Sequence, residues 1–335
     1  MNSQPHSPKR LAALLLVSLL VTTGCTSFAA DDPTRGEDLR AFAQTVAARH
    51  DLDGEAIERL LIDDARHQPD IIEAISRPAE ALPWHRYREI FLTEARIRDG
   101  VAFRQRHADT LAAAEARYGV PPAVITAIIG VETFYGRYRG RHRVIDALRT
   151  LGFGYPPRAD FFRSELEAFL VLAAEENLDP REPLGSYAGA MGIPQFISSS
   201  YRAYAVDFDD DGQRDLFTNT ADAIGSVGNY FARHGWEPGA PVAVPARVAA
   251  ELPAPFRYTS LEPRHRVHEL TAAGVRPDTP LPSEAEARLL QLDAGARHEH
   301  WVTLRNFYVI TRYNHSPLYA MAVHQLAGAI DGAMP

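Results

Sequence analysis

Glu132 is the acidic residue whose position in the sequence best suits catalysis. An apolar stripe at helical spacing precedes it, formed by Val124, Ile125, Ile128 and Ile129. Glu132 follows Ile129 by three residues and Ile128 by four, so it lies on the apolar face of a helix predicted to open at Pro121-Pro122. Apolar surroundings disfavour the charged form of a carboxyl group, so we expect a raised pKa, which suits a general acid.

The residues alone leave a second interpretation of Glu132 open. Gly136 is predicted to end the helix, which places Glu132 near a helix end. There it would be a surface residue of a frayed turn, or one half of an ion pair with Arg137 or Arg139. One glutamate in a helix does not decide between these alternatives.

A second group of candidate residues has the spacing of a cation-binding loop. Asp207, Asp209 and Asp211 alternate along the chain, and glycine follows at the sixth position, as in an EF-hand loop. Gln213 occupies position seven, but position twelve is Thr218 where an EF-hand has a bidentate glutamate. If a metal binds, we expect Ca²⁺ in a structural role; the alternative is a solvated acidic turn.

The beginning of the chain has the features of an export signal. Basic residues precede an apolar run from Leu11 to Val21, and small residues then lead to Cys25, the only cysteine. The position resembles a bacterial lipobox, so residues 1–24 are predicted to be a lipoprotein signal peptide and Cys25 the lipidated residue. Thr22 stands where that motif usually has an aliphatic residue. The residue after the cysteine is Thr26 and not aspartate, which favours sorting to the outer membrane.

The predicted location is the periplasmic face of the bacterial outer membrane. Cleavage after Ala29, which would give a soluble periplasmic protein, is the alternative, and a buried structural cysteine is a further one.

Composition excludes several classes of protein. The 335 residues are 46% hydrophobic, which is too apolar for a disordered chain. A single cysteine excludes a disulfide framework within the chain. The net charge of −8 becomes −10 when the signal peptide removes Lys9 and Arg10, so nucleic acid is not an expected partner.

Hydrophobic periodicity predicts a mainly α protein of the α+β class. After a polar tether over residues 25–38, helical spacing dominates residues 39–118 and 119–235. Residues 236–305 are rich in proline and contain alternating apolar positions, which predicts a small β-rich region. Residues 306–335 are predicted to return to the core.

Several ordered sequence blocks resemble the membrane-bound lytic murein transglycosylase B family. The first is Ile129 to Gly136, which contains Glu132. The others are residues 147–151, 185–192, 195–201, 205–208, 222–227 and 312–316. The resemblance covers roughly residues 40–335, and the ordered series is specific although no single block is. It implies a lysozyme-like catalytic core over 119–235, with the additional α-helical region and the small β-rich region around it.

The resemblance also implies a reaction and a mechanism. These enzymes cleave the β-1,4 bond between N-acetylmuramic acid and N-acetylglucosamine in peptidoglycan and leave a 1,6-anhydromuramic acid end. Most glycosidases need two carboxylates, whereas here Glu132 alone would act as acid and then as base. The substrate's own acetamido group would stabilise the cationic centre, and no cofactor is required. Glycan strands are the implied partner, with the lipid anchor and proteins of wall synthesis or hydrolysis.

Further site residues follow from the resemblance by position. Substrate-binding roles are implied for Ser186, Gln195, Arg158, Tyr230, Tyr313, Asn314 and Tyr319, and a metal-ligand role for Asp222. The chain departs from the family at Pro157, where a second arginine is usual, and at Ile193-Pro194. Without the resemblance, each tyrosine would be a packed core residue and Ser186 a turn residue.

Three hypotheses follow from these residues. The first is a lytic transglycosylase, the second a non-catalytic peptidoglycan-binding protein that keeps the cleft, and the third a Ca²⁺-binding structural lipoprotein. The first is favoured because Glu132, Ser186, Gln195 and the tyrosines occur together.

Overall fold

The computed structural model describes residues 33–76, 82–248, 256 and 261–335. Cys25 and the predicted signal peptide lie outside the described residues. Within the described ranges, no helix is both long enough and apolar enough to cross a membrane.

In the described part of the chain, six α-helices precede the one that carries Glu132. They are α1 (Pro33–His50), α2 (Gly54–Arg59), α3 (Pro69–Ile75), α4 (Trp84–Phe91), α5 (Glu94–Arg106) and α6 (Ala108–Tyr118). A short π-helical segment, Leu60–Asp64, continues directly from α2. Asp53 caps α2 by accepting from the backbone N–H groups of Glu55 and Ala56 at 3.0 Å each.

Helix α1 begins inside the segment predicted to be a tether, residues 25–38. Pro33 is its first residue, a position where a missing N–H carries no penalty. Leu39, Ala43 and Val46 of α1 are buried at helical spacing, so packing of one face outweighs the polar composition of the preceding residues.

Five helices and a two-stranded sheet form the central part of the protein. The helices are α7 (Pro122–Thr133), α8 (Val144–Gly154), α9 (Ala159–Glu175), α10 (Ser198–Tyr204) and α11 (Thr220–Arg233). Strand β1 (His142–Arg143) pairs antiparallel with β2 (Leu184–Gly185). The buried Glu165 carboxylate of α9 accepts from the backbone N–H and the hydroxyl of Ser199 at 2.9 and 2.6 Å, which fastens α10 to α9.

An antiparallel five-stranded sheet follows. Its strands are β3 (Ala243–Val248), β4 (His265–Arg266), β5 (Val275–Pro277), β6 (Glu286–Asp293) and β7 (His298–Leu304), in the spatial order β4-β6-β7-β3-β5. Helix α12 (Val267–Ala272) packs on the sheet, and Val267, Val275, Leu289 and Val302 form part of a small separate core. The predicted fold class, mainly α with a small β-rich region, is confirmed.

The last two helices return from the sheet to the central helices. They are α13 (Arg305–Tyr313) and α14 (Pro317–Gly332). Asn306 ties α13 down because its side-chain amide donates to the carbonyls of Glu237 and Ala240 at 2.8 and 2.9 Å. Helix α14 packs against α4, α5 and α7, so the end of the chain lies beside the helix that carries Glu132.

The contact between α14 and the sheet predicts acid sensitivity of the fold. His324 of α14 meets the Trp301 ring edge-on at 5.7 Å, and burial lowers its pKa to about 4. The unfolded chain binds this proton near pH 6.5 and the folded chain does not, so stability is present at neutral pH and is lost as pH falls from about 6.5 to about 4. The loss is about 3 kcal/mol.

We therefore expect His324→Met to flatten the pH dependence of the unfolding free energy, measured by urea denaturation at several pH values. His298→Gln, which changes an exposed histidine of β7, is the matched control and leaves the dependence intact. A wild-type unfolding free energy that stays constant through this pH range would contradict the prediction.

Candidate active site

Glu132 is the penultimate residue of α7, a helix that is otherwise almost completely buried. Ten of its twelve residues are buried, and the other two are Pro122 and Glu132. The sequence pattern predicted one apolar face, but α5, α6, α11 and α14 all pack against α7. Glu132 is partly exposed, so its polar side chain lies at the edge of the core, near the end of the helix.

The chain leaves α7 through a strained turn. Phe134, Tyr135 and Gly136 have φ values of 51°, 61° and 83°. This left-handed conformation suits glycine, but it is rare for an aromatic residue and costs about 1–3 kcal/mol. Thr133 stabilises the turn, since its hydroxyl accepts from Gly136 N–H at 3.0 Å and donates to the Ile193 carbonyl at 2.8 Å.

Arg96 of α5 fastens this turn from the other side. Its Nε donates to the Gly130 carbonyl at 3.0 Å, and its guanidinium lies 4.7 Å from the centre of the Phe134 ring. The Tyr135 hydroxyl donates to the Arg96 carbonyl at 2.7 Å. A Cβ at Gly130 would lie 2.7 Å from that hydroxyl, so the packing of Tyr135 requires glycine there. No sequence pattern pointed to Arg96, because its contacts with Gly130 and Phe134 are purely tertiary.

Tyr319 of α14 donates a hydrogen bond to the Glu132 carboxylate. Its hydroxyl lies 2.5 Å from Oε1 of Glu132, and its side chain is buried. Burial first, and then the charge of Glu132, raises the pKa of Tyr319 well above the ordinary value. The phenol therefore stays protonated, orients the carboxyl group and stabilises its ionised form.

Tyr313 and Tyr230 form a packed layer behind Tyr319. The rings of Tyr313 and Tyr319 are nearly parallel, at 10° and 6.5 Å, and the Tyr313 hydroxyl donates to the Pro194 carbonyl at 2.6 Å. Tyr230 is buried, meets the Tyr313 ring at 4.8 Å and donates to the Arg312 carbonyl at 2.6 Å. Tyr230 thus supports Tyr313 by ring contact.

Ser186 lies in a tight loop directly after β2. Its Oγ accepts from the backbone N–H groups of Ala188 and Ala190 at 3.2 and 3.1 Å. Both lone pairs of the hydroxyl are thus used within the loop, and the O–H remains as a donor for a ligand. A Cβ at Gly140 would lie 1.9 Å from the Gly185 carbonyl oxygen, so this loop and the chain after α7 run in backbone contact.

Gln195 has the complementary hydrogen-bonding capacity. Its Nε2 donates to the carbonyls of Arg139 and Gly192 at 3.2 and 2.9 Å, which uses both amide hydrogens. Its Oε1 is left as an acceptor, and a positive φ of 53° holds the residue in this position. Ser186 and Gln195 both contact the segment that follows Glu132, one beside Gly140 and the other through Arg139.

Arg158 and Asn314 occupy more peripheral positions. Arg158 is exposed at the end of a 3₁₀ turn, Pro156–Arg158, and its guanidinium lies 4.2 Å from the centre of the Phe161 ring. Asn314 follows α13 directly and is half-buried, and its carbonyl accepts from Ser316 N–H at 2.7 Å.

The acidic loop brings three carboxylates together. Ligand atoms of Asp207, Asp209 and Asp211 all lie within 4.8 Å of one another, and Asp207 also accepts from the N–H groups of Asp211 and Gly212 at 3.1 and 2.8 Å. Converging carboxylates are the oxygen donors that Ca²⁺ prefers, so the donor set fits that cation. The exposed Gln213 can supply a carbonyl at position seven.

Asp222, for which the resemblance implies a ligand role, holds the backbone of the loop. It is fully buried, and its two oxygens accept from Phe208 N–H at 2.7 Å and Asp215 N–H at 2.8 Å, which fastens both ends of the loop to α11. Burial, before any other cause, raises the pKa of Asp222. Thr218 at position twelve donates its hydroxyl to Asp215, a residue that the sequence pattern did not single out.

Comparisons with known proteins identify the family. The family described as the transglycosylase SLT domain matches residues 35–328. Membrane-bound lytic murein transglycosylase B of Escherichia coli K12 is 42% identical over 310 residues, which cover 89% of this chain and 84% of that protein. The crystal structure of soluble lytic transglycosylase SltB1 from Pseudomonas aeruginosa has a TM-score of 0.84 and 48% identity, covering 88% of this chain and 99% of that one.

Two further structures contain ligands. Escherichia coli Slt35 in complex with calcium has a TM-score of 0.80 and 42% identity, covering 89% of this chain and 93% of that one. Pseudomonas aeruginosa SltB3 in complex with NAG-anhNAM-pentapeptide has a TM-score of 0.77 and 35% identity, covering 90% of this chain and 82% of that one. The expected lysozyme-like fold is confirmed by these neighbours. Because the family match and the relatives span most of the chain, this protein belongs to the lytic transglycosylases, which act on peptidoglycan.

Proposed function

We propose that Glu132 is the single acid and base of the transglycosylase reaction. The observation that carries this proposal is the 2.5 Å hydrogen bond from Tyr319 to Glu132 at the end of a buried helix. Protonated Glu132 gives its proton to the glycosidic oxygen, and the bond from that oxygen to C1 of the muramic acid breaks. The hydroxyl of Tyr319 then stabilises the carboxylate that has formed.

The second half of the reaction closes the anhydro ring. The substrate's acetamido group stabilises the cationic C1, and ionised Glu132 takes the proton from the C6 hydroxyl as that oxygen bonds to C1. The proton lost to the leaving group is thereby restored, and no water is consumed. An attack within one sugar replaces an encounter with a second molecule, which favours the intramolecular route. Lytic transglycosylases need no cofactor for this chemistry.

Ser186 and Gln195 are suited to hold an acetamido group. An acetamido group offers one carbonyl acceptor and one N–H donor, and these match the donor left on Ser186 and the acceptor left on Gln195. Tyr313 packs beside Tyr319, Asn314 directly follows Tyr313 in the chain, and both are proposed to contact the substrate. The exposed guanidinium of Arg158 is suited to a stem-peptide carboxylate, a group present in the peptide-bearing fragment bound by SltB3.

Glu132→Gln tests the catalytic role. The amide cannot transfer a proton, so we expect release of anhydromuropeptides from purified sacculi to fall by about 10³-fold or more. Glu115→Gln, an exposed glutamate of α6, is the matched control and stays active. Mass spectrometry of the products is the measurement. A Glu132→Gln variant that still lyses the wall, or wild-type products with only reducing ends, would overturn the mechanism.

The acidic loop is proposed to hold a structural Ca²⁺. Asp207, Asp209 and Asp211 are the proposed carboxylate ligands and Gln213 the carbonyl ligand, while Asp222 holds the loop in shape. The calcium complex of the Escherichia coli relative supports the choice of metal. A cation would neutralise three carboxylates that otherwise repel one another.

Calcium binding is testable by thermal denaturation. Binding to the folded state alone stabilises it by about 2.7 kcal/mol at a free concentration 100-fold above Kd, so we expect Tm to rise with calcium and fall with a chelator. Asp209→Asn should abolish this response, whereas Asp210→Asn, next to it but outside the carboxylate group, should keep it. A Tm that ignores both calcium and chelator would remove the metal from this proposal.

The enzyme is proposed to be a lipoprotein on the periplasmic face of the outer membrane, attached through Cys25. The supporting observations are the signal-like residues 1–24 and the membrane-bound relative. Cys25→Ser should move the protein from the membrane to the soluble fraction and abolish palmitate labelling. Thr26→Asp should keep the label and move the protein to the inner membrane. Wild-type protein that is soluble and begins at Ala30 would instead establish cleavage after Ala29.

A further inference from the structure

Tyr138 is unusually exposed for an aromatic side chain. Its relative exposure is 72%, and among the described residues the next most exposed large apolar side chain is Leu184 at 48%. Three of the six exposed side chains of this kind in the described ranges, Tyr138, Leu184 and Tyr187, lie in two segments that meet where Gly140 contacts Gly185. Such a concentration of apolar surface marks a binding site more often than scattered exposure does.

The position of Tyr138 is fixed by the strained turn that follows Glu132. Its backbone N–H donates to the Thr133 carbonyl at 2.9 Å, and its ring meets the Phe134 ring edge-on at 6.1 Å and 73°. Arg137 supports the same turn, since its guanidinium lies 5.1 Å from the centre of the Phe134 ring and pairs with Asp99 at 2.7 Å. The Tyr138 ring is therefore held in place by its base and edge while most of its surface faces solvent.

The neighbours of Tyr138 place it beside the residues proposed to bind the substrate. The next residue, Arg139, accepts the hydrogen bond from Gln195, and Gly140 lies against the backbone of Gly185 and Ser186. Residues 137–140 thus run from the end of the catalytic helix to the two residues proposed to hold the acetamido group. A glycan strand that reaches from Glu132 to Ser186 and Gln195 therefore runs along this segment.

We propose that Tyr138 is a saccharide-binding platform of the cleft, on which a pyranose ring of the glycan strand packs outside the bond being cleaved. An aromatic ring offers a flat apolar face to the C–H groups of a sugar, and the phenol hydroxyl can bond to sugar hydroxyls. Little side-chain entropy is lost on binding because the turn already positions the ring. This inference rests on the proposed function. It adds that the contact with Tyr138 requires a strand longer than the disaccharide at the cleaved bond.

The test uses peptide-free glycan strands of defined length. Tyr138→Ala should raise KM on long strands about fivefold to tenfold with kcat unchanged, and should have little effect on the shortest strand that is cleaved. Tyr138→Phe keeps the ring face and should remain close to wild type. Tyr138→Leu keeps apolar bulk against Phe134 without an aromatic face and should behave like Tyr138→Ala. Equal Tm values of all variants show that the fold is intact.

Binding without turnover separates this inference from the catalytic role. In a Glu132→Gln background, Tyr138→Ala should weaken equilibrium binding of the long strands by the same factor. If Glu132→Gln is inactive and Tyr138→Ala leaves both KM and binding unchanged, the platform is refuted while the catalytic proposal stands. If Glu132→Gln remains active, the catalytic proposal fails whatever Tyr138 does. A loss equal for short and long strands would also refute the platform, because it would place Tyr138 at the cleaved bond.

Discussion

The hydrogen bond between Tyr319 and Glu132 is the interaction on which the site depends. It joins residues 187 positions apart, one at the end of α7 and the other near the start of α14. The bond can form only because α14 returns from the sheet and packs against α7. Ser316 caps α14 by accepting from Tyr319 N–H at 3.3 Å, so the cap also sets the height of the phenol along the helix.

The helix that carries the partly exposed acid is buried, and the chain leaves it through a strained turn. Two aromatic residues with positive φ directly follow Thr133, and they persist because Arg96, Thr133 and the packed Tyr135 ring each hold them. The same turn carries Tyr138 outward and leads to Arg139 and Gly140, which contact the loops of Gln195 and Ser186. One segment thus connects Glu132 to the residues proposed to hold the substrate.

The distribution of charge also follows from burial. Tyr313 and Tyr319 remain protonated because burial and the nearby Glu132 both raise their pKa values. Away from Glu132, the buried carboxylates of Asp222 and Glu165 accept hydrogen bonds from backbone N–H groups at the ends of helices and loops. Because the protein carries a net negative charge, the proposed substrate recognition depends on local donors and aromatic faces and not on net charge.

Local sequence was sufficient for the features that depend on short-range spacing. The apolar residues before Glu132 predicted a helix with an acid at its end, the alternating aspartates predicted converging carboxylates, and the ordered motifs predicted the family, which the comparisons confirm. Short-range patterns do not determine the contacts that long-range packing decides. Residues 33–38 are helical although their composition suggested a tether, and Tyr230 is buried against the Tyr313 ring. Asp222 turns inward to hold the loop, and Arg96 fastens the catalytic turn from a different helix. Periodicity determines which face of an element is apolar. Only the tertiary structure decides which distant polar group contacts that element, because the contact is set by how whole helices pack.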